Sequence, residues 1–196
     1  MDYVTPQDLM DKVDAAARKK AALSLRVMLL KGFLSGALLA YATAFAFKVA
    51  EGLPGGPAAL VAGAVFPVGF AMIVLLGMEL ATGNFAVLPL GIARGTTTWR
   101  ETLRNWGGVY LGNFLGAIFV GFLLALALTE CFSQGSGPLG AKIVAVAQAK
   151  TLSYEHAGAN GWLTAFVKGI LCNWMVALGT VLGMSSTSTT GKIAAI

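Results

Sequence analysis

The sequence predicts an all-α membrane protein, and three properties of its composition indicate this. Of its 196 residues, 57% are hydrophobic and only 12% are charged, whereas a soluble domain averages about 25% charged residues. Several apolar runs reach the roughly 20 residues that a helix needs to cross a bilayer. The 25 glycines suit helices that pack closely in lipid, where small residues let backbones approach. The expected partner of most of the surface is therefore the lipid bilayer.

The charge and cysteine content exclude other classes of protein. A formal net charge of +5 would suggest a nucleic-acid partner in a soluble protein. Here the basic residues cluster at the ends of apolar runs, as membrane topology requires, so no nucleic-acid partner is expected. Cys131 and Cys172 belong to different segments and are interpreted as unpaired thiols. No nucleophile–base spacing, ligand cluster or phosphate loop is present, so we predict no enzymatic activity, metal or cofactor.

Residues 1–25 are predicted to form a cytoplasmic amphipathic helix at the membrane surface. Thr5 is a favourable N-cap, Pro6 suits the first helical position, and Asp8 lies in the first turn. Lysine and arginine are concentrated before the first apolar run and between the second and third. The positive-inside rule therefore places the N-terminus in the cytoplasm, or on the stromal side in a plastid.

Residues 26–196 are predicted to form a multi-pass transmembrane channel domain with about four spans and the start of a fifth. The predicted spans are Val27 to Ala50, Ala58 to Ile92, Trp106 to Leu128 and Trp162 to Met184, with Gly191 to Ile196 beginning the fifth. The second segment is too long for one straight span. Residues 129–161 are predicted to form a polar connection.

Residues 77–84 interrupt the second segment with two glycines and the polar side chains of Glu79, Thr82 and Asn84. Irregular backbone at membrane depth is tolerated only where protein or a cavity surrounds it. An ionisable residue there costs about 2.5–3.5 kcal/mol on insertion scales. The pattern predicts a broken helix that lines a pore. The alternative is an ordinary span that ends here, with Glu79 among the lipid headgroups.

An internal repeat relates the first and fourth spans. Lys31-Gly32-Phe33-Leu34 matches Lys168-Gly169-Ile170-Leu171 at an offset of 137 residues. A three-span unit that occurs twice predicts an inverted-topology repeat, a common transporter plan. Its second copy would need roughly 70 further residues. We therefore expect that residues 1–196 alone leave the pore open beside the 77–84 loop.

Other residues near span ends have ordinary structural interpretations. The indoles of Trp99, Trp106 and Trp162 are interpreted as anchors at the membrane–water interface. Lys31 and Lys168 are expected to extend their ammonium groups toward water; the alternative is that they line a vestibule of the pore. Three glycines spaced by four residues on the third span indicate helix packing, namely Gly108, Gly112 and Gly116.

Three motifs resemble the formate/nitrite transporter family. They are Gly77 to Asn84, Asn105-Trp106 with Tyr110 to Gly116, and Gly169 to Trp174. The loop is most similar to the nitrite-transporter branch. The resemblance implies an aquaporin-like protomer of six spans, a broken second span and a truncated second repeat in this chain. It also implies a homopentamer in which every protomer has its own pore.

The resemblance also implies which residues line the path of the anion. Two hydrophobic constrictions would flank a central chamber. The implied path residues are Phe66, Phe70, Glu79, Leu80, Thr82, Asn84 and Asn173, with Lys150 as an outer lysine that attracts anions. Ala81 departs from the family, which usually has phenylalanine there. The central histidine of the family is expected beyond Ile196, and the sole histidine, His156, is interpreted as a loop residue.

The predicted function is a transmembrane channel or transporter for small monovalent anions, nitrite or formate, which cross as the anion or, with a proton, as the neutral acid. A hydrosulfide or bicarbonate channel of the same family remains an alternative. A non-conducting membrane scaffold, as a truncated product, is the alternative from a different class.

Overall fold

The computed structural model describes residues 2–196, and these residues form ten helices. The helices are α1 (Pro6–Ala21), α2 (Leu25–Val49), α3 (Gly55–Val65), α4 (Pro67–Leu75), α5 (Ala81–Ala93), α6 (Trp99–Leu128), α7 (Gly137–Lys150), α8 (Leu152–His156), α9 (Gly158–Met184) and α10 (Thr189–Ala195). This confirms the predicted all-α fold.

Four helical stretches are long and apolar enough to cross a membrane. They are α2, the pair α3–α4 (Gly55–Leu75), α6 and α9. The α3–α4 pair is interrupted at Phe66 because Pro67, the first residue of α4, has no amide hydrogen to donate. α5 is a shorter apolar helix of 13 residues, which alone could cover only part of a bilayer.

The α2 and α6 helices form the closest helix pair of the fold, and glycines on both sides make this possible. A Cβ atom on Gly32 would lie 2.8 Å from the Val109 carbonyl oxygen, and one on Gly112 would lie 2.7 Å from that of Leu29. The predicted packing role of the α6 glycines is therefore confirmed. Because this face is buried within the protomer, it is unavailable to a second copy of the chain.

The N-terminal helix α1 packs on the channel domain. Thr5 caps the helix by accepting a hydrogen bond from the Asp8 amide at 3.2 Å, as predicted. Its apolar side, with Val13 and Ala17, contacts Val87 of α5. This corrects the expected placement of that side in the membrane surface, because it faces α5 of the same chain. The cytoplasmic location of the N-terminus stays a prediction.

Polar contacts hold α1 against the connection between α5 and α6. The Thr96 hydroxyl donates to buried Asp14 at 2.5 Å. Arg94 forms an ion pair with Asp11 at 2.7 Å. Each pair joins residues more than 80 positions apart in the sequence, so α1 is docked by tertiary contacts.

Residues before α1 lie along the turn between α9 and α10. The Val4 amide donates to the Ser185 carbonyl at 2.8 Å. The Asp2 carboxylate accepts hydrogen bonds from the amides of Thr187 and Ser188, at 2.8 and 2.6 Å, and from the Ser188 hydroxyl at 2.7 Å. The hydroxyl of Ser188 and its neighbouring donors stabilise the charged form, and they hold the pKa of Asp2 far below its ordinary value.

The helices extend beyond the predicted spans at two places. Within the predicted polar connection, residues 129–136 are non-helical, and residues 137–161 form α7, α8 and the first turn of α9. The α6 helix begins at Trp99 because Thr98 and Glu101 form a capping box, in which each side chain accepts a hydrogen bond from the backbone amide of the other residue. The predicted start at Trp106 therefore misses the first two turns.

Candidate functional site

The second apolar segment is broken, as predicted, between the end of α4 at Leu75 and the start of α5 at Ala81. Gly77 at the start of this break has a φ of 64°, a left-handed conformation that favours glycine. The Met78 amide still donates to the Ile73 carbonyl at 2.9 Å. Other backbone groups of the break need partners from elsewhere, because lipid offers none.

Asn113 of α6 supplies most of these partners. Its side-chain oxygen accepts a hydrogen bond from the Ala81 amide at 3.0 Å. Its side-chain nitrogen donates to the carbonyl of Glu79 at 2.9 Å and to that of Gly32 at 2.8 Å. One amide side chain thus joins the break to both α2 and α6.

Lys31 of α2 supplies another partner. Its ammonium group donates to the Gly77 carbonyl at 2.9 Å. This carbonyl lies just beyond the C-terminal end of α4, where a cation is favourable. Lys31 therefore binds the break from a partly exposed position and lines a cavity there.

Glu79 is buried inside the protein, with 5% of its surface exposed. The Lys20 ammonium lies 2.9 and 3.1 Å from the two carboxylate oxygens of Glu79. The side-chain nitrogen of Asn84 donates to the same carboxylate at 2.8 Å. A position among the lipid headgroups is thereby excluded. Sequence reasoning missed Lys20, because a run of basic residues before a span already has an explanation in topology.

The two asparagines Asn84 and Asn105 extend this polar cluster. The Asn84 nitrogen also donates to the Asn105 side-chain oxygen at 2.7 Å, and the Asn105 nitrogen donates to the Lys20 carbonyl at 2.9 Å. The Asn84 side-chain oxygen is buried and has no hydrogen-bond partner among residues 2–196. We call Lys20, Glu79, Asn84 and Asn105 the break cluster.

Trp106 contacts the same region, which corrects its interpretation as an interfacial anchor. Its indole packs edge-on against Phe85, with ring centroids 4.9 Å apart, and its nitrogen lies 3.4 Å from the Asn84 carbonyl oxygen. Trp99 and Trp162 are 60% and 70% exposed, which fits an interfacial position.

Two cavities are lined by residues of the break or of the first turns of α5. One, of about 430 Å³, is lined by Phe70, Glu79, Leu80, Asn84 and Thr180 together with Lys20 and Lys31. The other is an open apolar groove of about 810 Å³ between α5 and α9, lined by Thr82, Phe85, Phe166, Asn173 and Trp174 among others. The Asn173 side-chain oxygen has no partner within the described part of the chain.

The structure thus brings most of the predicted path residues close to the break, but into different cavities. Glu79 is shielded by this chain, whereas Thr82 borders an open groove, as expected for a pore left open beside the 77–84 loop. Phe66, at the α3–α4 junction, is 40% exposed and lines neither cavity. Lys150 is exposed at the end of α7 and also lines neither cavity. The path roles of Phe66 and Lys150 therefore stay predictions.

Lys168, the counterpart of Lys31 in the internal repeat, lies beside an aromatic ring. Its ammonium is 5.4 Å from the centre of the Tyr154 ring.

Comparisons with known proteins agree with this architecture. The profile of the family described as Formate/nitrite transporter matches residues 7–196. A protein of Methanothermobacter thermautotrophicus named "Probable formate transporter" is 34% identical over 203 aligned residues, which cover 97% of this chain and 73% of that protein.

Two solved structures have the same fold. One is described as an "FNT family ion channel", with a TM-score of 0.79 and 26% sequence identity; the alignment covers 96% of this chain and 72% of the channel's chain. The other is a "Pentameric formate channel with formate bound", with a TM-score of 0.69 and 28% sequence identity; the alignment covers 87% of this chain and 64% of that channel's chain.

Four membrane-length helices and the family match classify the protein. It is an integral membrane protein of a family of transporters and channels, which are not enzymes. This chain belongs to the formate/nitrite transporter family.

Proposed function

We propose that this protein is a channel or transporter for small monovalent anions, nitrite or formate, and that the break between α4 and α5 lines the path. One observation carries the proposal: a polar, non-helical segment lies within an apolar span, and side chains of the same chain supply its hydrogen-bond partners. Such a costly arrangement marks ion and substrate pathways in membrane proteins.

The two cavities would supply different parts of the path. Phe70 and Leu80 give the first cavity apolar walls beside the polar break cluster. In the groove, Thr82 and Asn173 are polar side chains among apolar neighbours. A hydroxyl and an amide can donate to an anion and accept from the hydroxyl of the neutral acid, so this pair suits both forms of the substrate.

Four finer assignments belong to the same proposal. Lys150 attracts anions at the outer mouth, and Phe66 contributes an apolar wall of the path. Residues 1–25 lie on the cytoplasmic side, and residues 26–196 form the channel domain. Their support is the family membership together with the basic residues beside the first span.

We also propose a homopentamer in which every protomer contains a path. Its support is the pentameric channel with the same fold. The outward side of α6 carries large exposed apolar residues, including Tyr110, Phe114 and Phe122, which could contact a neighbouring protomer or lipid. Native mass spectrometry in mild detergent should show assemblies of five chains. Monomers alone would contradict the proposed assembly.

Transport can be tested with the purified protein in proteoliposomes. Stopped-flow light scattering would follow swelling in formate, nitrite, hydrosulfide and bicarbonate, with protein-free vesicles as the control. The proposal expects faster swelling in formate or nitrite than in the control vesicles. Flux of only hydrosulfide or bicarbonate would favour another substrate, and no flux of any anion would favour a non-conducting scaffold.

A further inference from the structure

Lys20 is joined to the break by both its side chain and its main chain. Its ammonium group contacts both oxygens of Glu79, and its carbonyl accepts from Asn105 at 2.9 Å. It is the penultimate residue of α1, a helix that does not belong to any of the four membrane-length stretches. An element outside the spans therefore contributes a charged group to the centre of the candidate site.

The burial of the pair makes its charge balance important. The side chain of Glu79 is 6% exposed and that of Lys20 is 17% exposed. Water therefore screens the Glu79 carboxylate little. Removal of the Lys20 ammonium would leave this carboxylate as an uncompensated buried charge. The other two members of the break cluster, Asn84 and Asn105, are neutral.

Lys19 and Lys31 are the other basic residues of the same cavity. Lys19 is exposed, and the Glu79 ion pair in the described residues is with Lys20; the Lys31 ammonium is bound to the Gly77 carbonyl. Without Lys20, the Glu79 carboxylate would repel an anion that passes the break, since like charges repel strongly where the dielectric is low.

We propose that Lys20 is a positioning residue for the anion path, which neutralises Glu79 and fixes the break through it. The inference rests on the proposed function, and it assigns Lys20 a role that acts through Glu79 rather than by contact with the ion. A lysine that simply attracts anions would behave differently when its acidic partner is removed.

Formate uptake by proteoliposomes containing the purified variants separates the two roles. Lys20→Gln should lower uptake about tenfold or more, as is usual when one partner of a buried charge pair is lost. Lys20→Arg, which retains the charge, should recover most of the uptake. The double variant Lys20→Gln with Glu79→Gln should also recover it, because no uncompensated carboxylate remains. Lys12→Gln removes an exposed charge from the same helix and should leave uptake unchanged.

Two outcomes would overturn the inference. Normal uptake by Lys20→Gln would show that Glu79 does not need its partner. Equally low uptake by Lys20→Gln and by the double variant would show that Lys20 acts on the anion directly. If Lys20→Gln does not fold, Lys20→Arg and the double variant still test the inference. Neither leaves the Glu79 carboxylate without a partner, so both should take up formate.

Melting temperatures separate failure of this inference from failure of the proposed function. If the wild-type protein carries neither formate nor nitrite, the proposed function is wrong. The Lys20–Glu79 pair can then be tested by a double-mutant cycle of thermal stability, in which coupled losses support positioning of the break and additive losses contradict it.

Discussion

Replacement of Asn113 by alanine tests whether this side chain holds the break together. Asn113→Ala removes three hydrogen bonds, to the Ala81 amide and to the carbonyls of Glu79 and Gly32. At about 1 kcal/mol net for each bond, the free energy of unfolding should fall by about 3 kcal/mol, which is roughly a 150-fold change in the equilibrium constant. This is a lower bound, because the freed backbone groups lie where water is scarce.

The assay is thermal unfolding of the purified protein in detergent, followed by circular dichroism. A loss of about 3 kcal/mol corresponds to about 6–12 °C for a soluble domain of this size, and we expect a decrease in that range. Asn160→Ala is the matched control, since Asn160 is an exposed asparagine of α9, and its effect should stay within about 0.5 kcal/mol. Equal melting temperatures for the two variants would refute the bridging role of Asn113.

Three other predictions concern the path and the N-terminus. Thr82→Val should preserve the melting temperature but slow formate or nitrite uptake by roughly two- to tenfold, from one lost hydrogen bond; unchanged uptake would place the path elsewhere. Lys150→Glu should lower anion uptake most at low ionic strength, because salt screens an exposed charge, and a salt-independent defect would contradict this. Because the pKa of Asp2 is lowered on folding, its contacts should protect the Val4 amide from hydrogen exchange at neutral pH. That protection should begin to weaken below the ordinary aspartate pKa of 3.8 and should be lost only as the pH falls through the lowered pKa of the folded state. In Asp2→Asn it should already be weak at pH 7, and equal protection in both proteins would argue against the contact.

The spans and the break could be predicted because their signals are local. An apolar run of sufficient length indicates a span wherever it packs, and a carboxylate between glycines within such a run indicates an interruption. The N-terminal cap at Thr5 is equally local. Residues 129–161 lack a long apolar run, so the sequence predicts a polar connection there but not the two short helices α7 and α8.

The partners within the break cluster could not be predicted, because they depend on contacts between distant segments. Lys20 and Glu79 are separated by 59 residues, and the neighbouring basic residues Arg18 and Lys19 give the same topology signal. Asn113 belongs to a recognisable motif, but only the approach of α6 to α2 shows that its amide reaches the break. The same holds for Trp106, whose partner Phe85 lies on another helix.

The Asn113 contacts also constrain how the protein can be inserted during synthesis. The ribosome completes α2, α3, α4, the break and α5 before it reaches α6. Until α6 emerges, the Ala81 amide and the Glu79 carbonyl lack the side chain that satisfies them, and lipid cannot replace it. We therefore expect the early helices to remain near the insertion machinery, in a polar environment, until α6 joins α2. In that case α6 completes the membrane integration of α2 to α5.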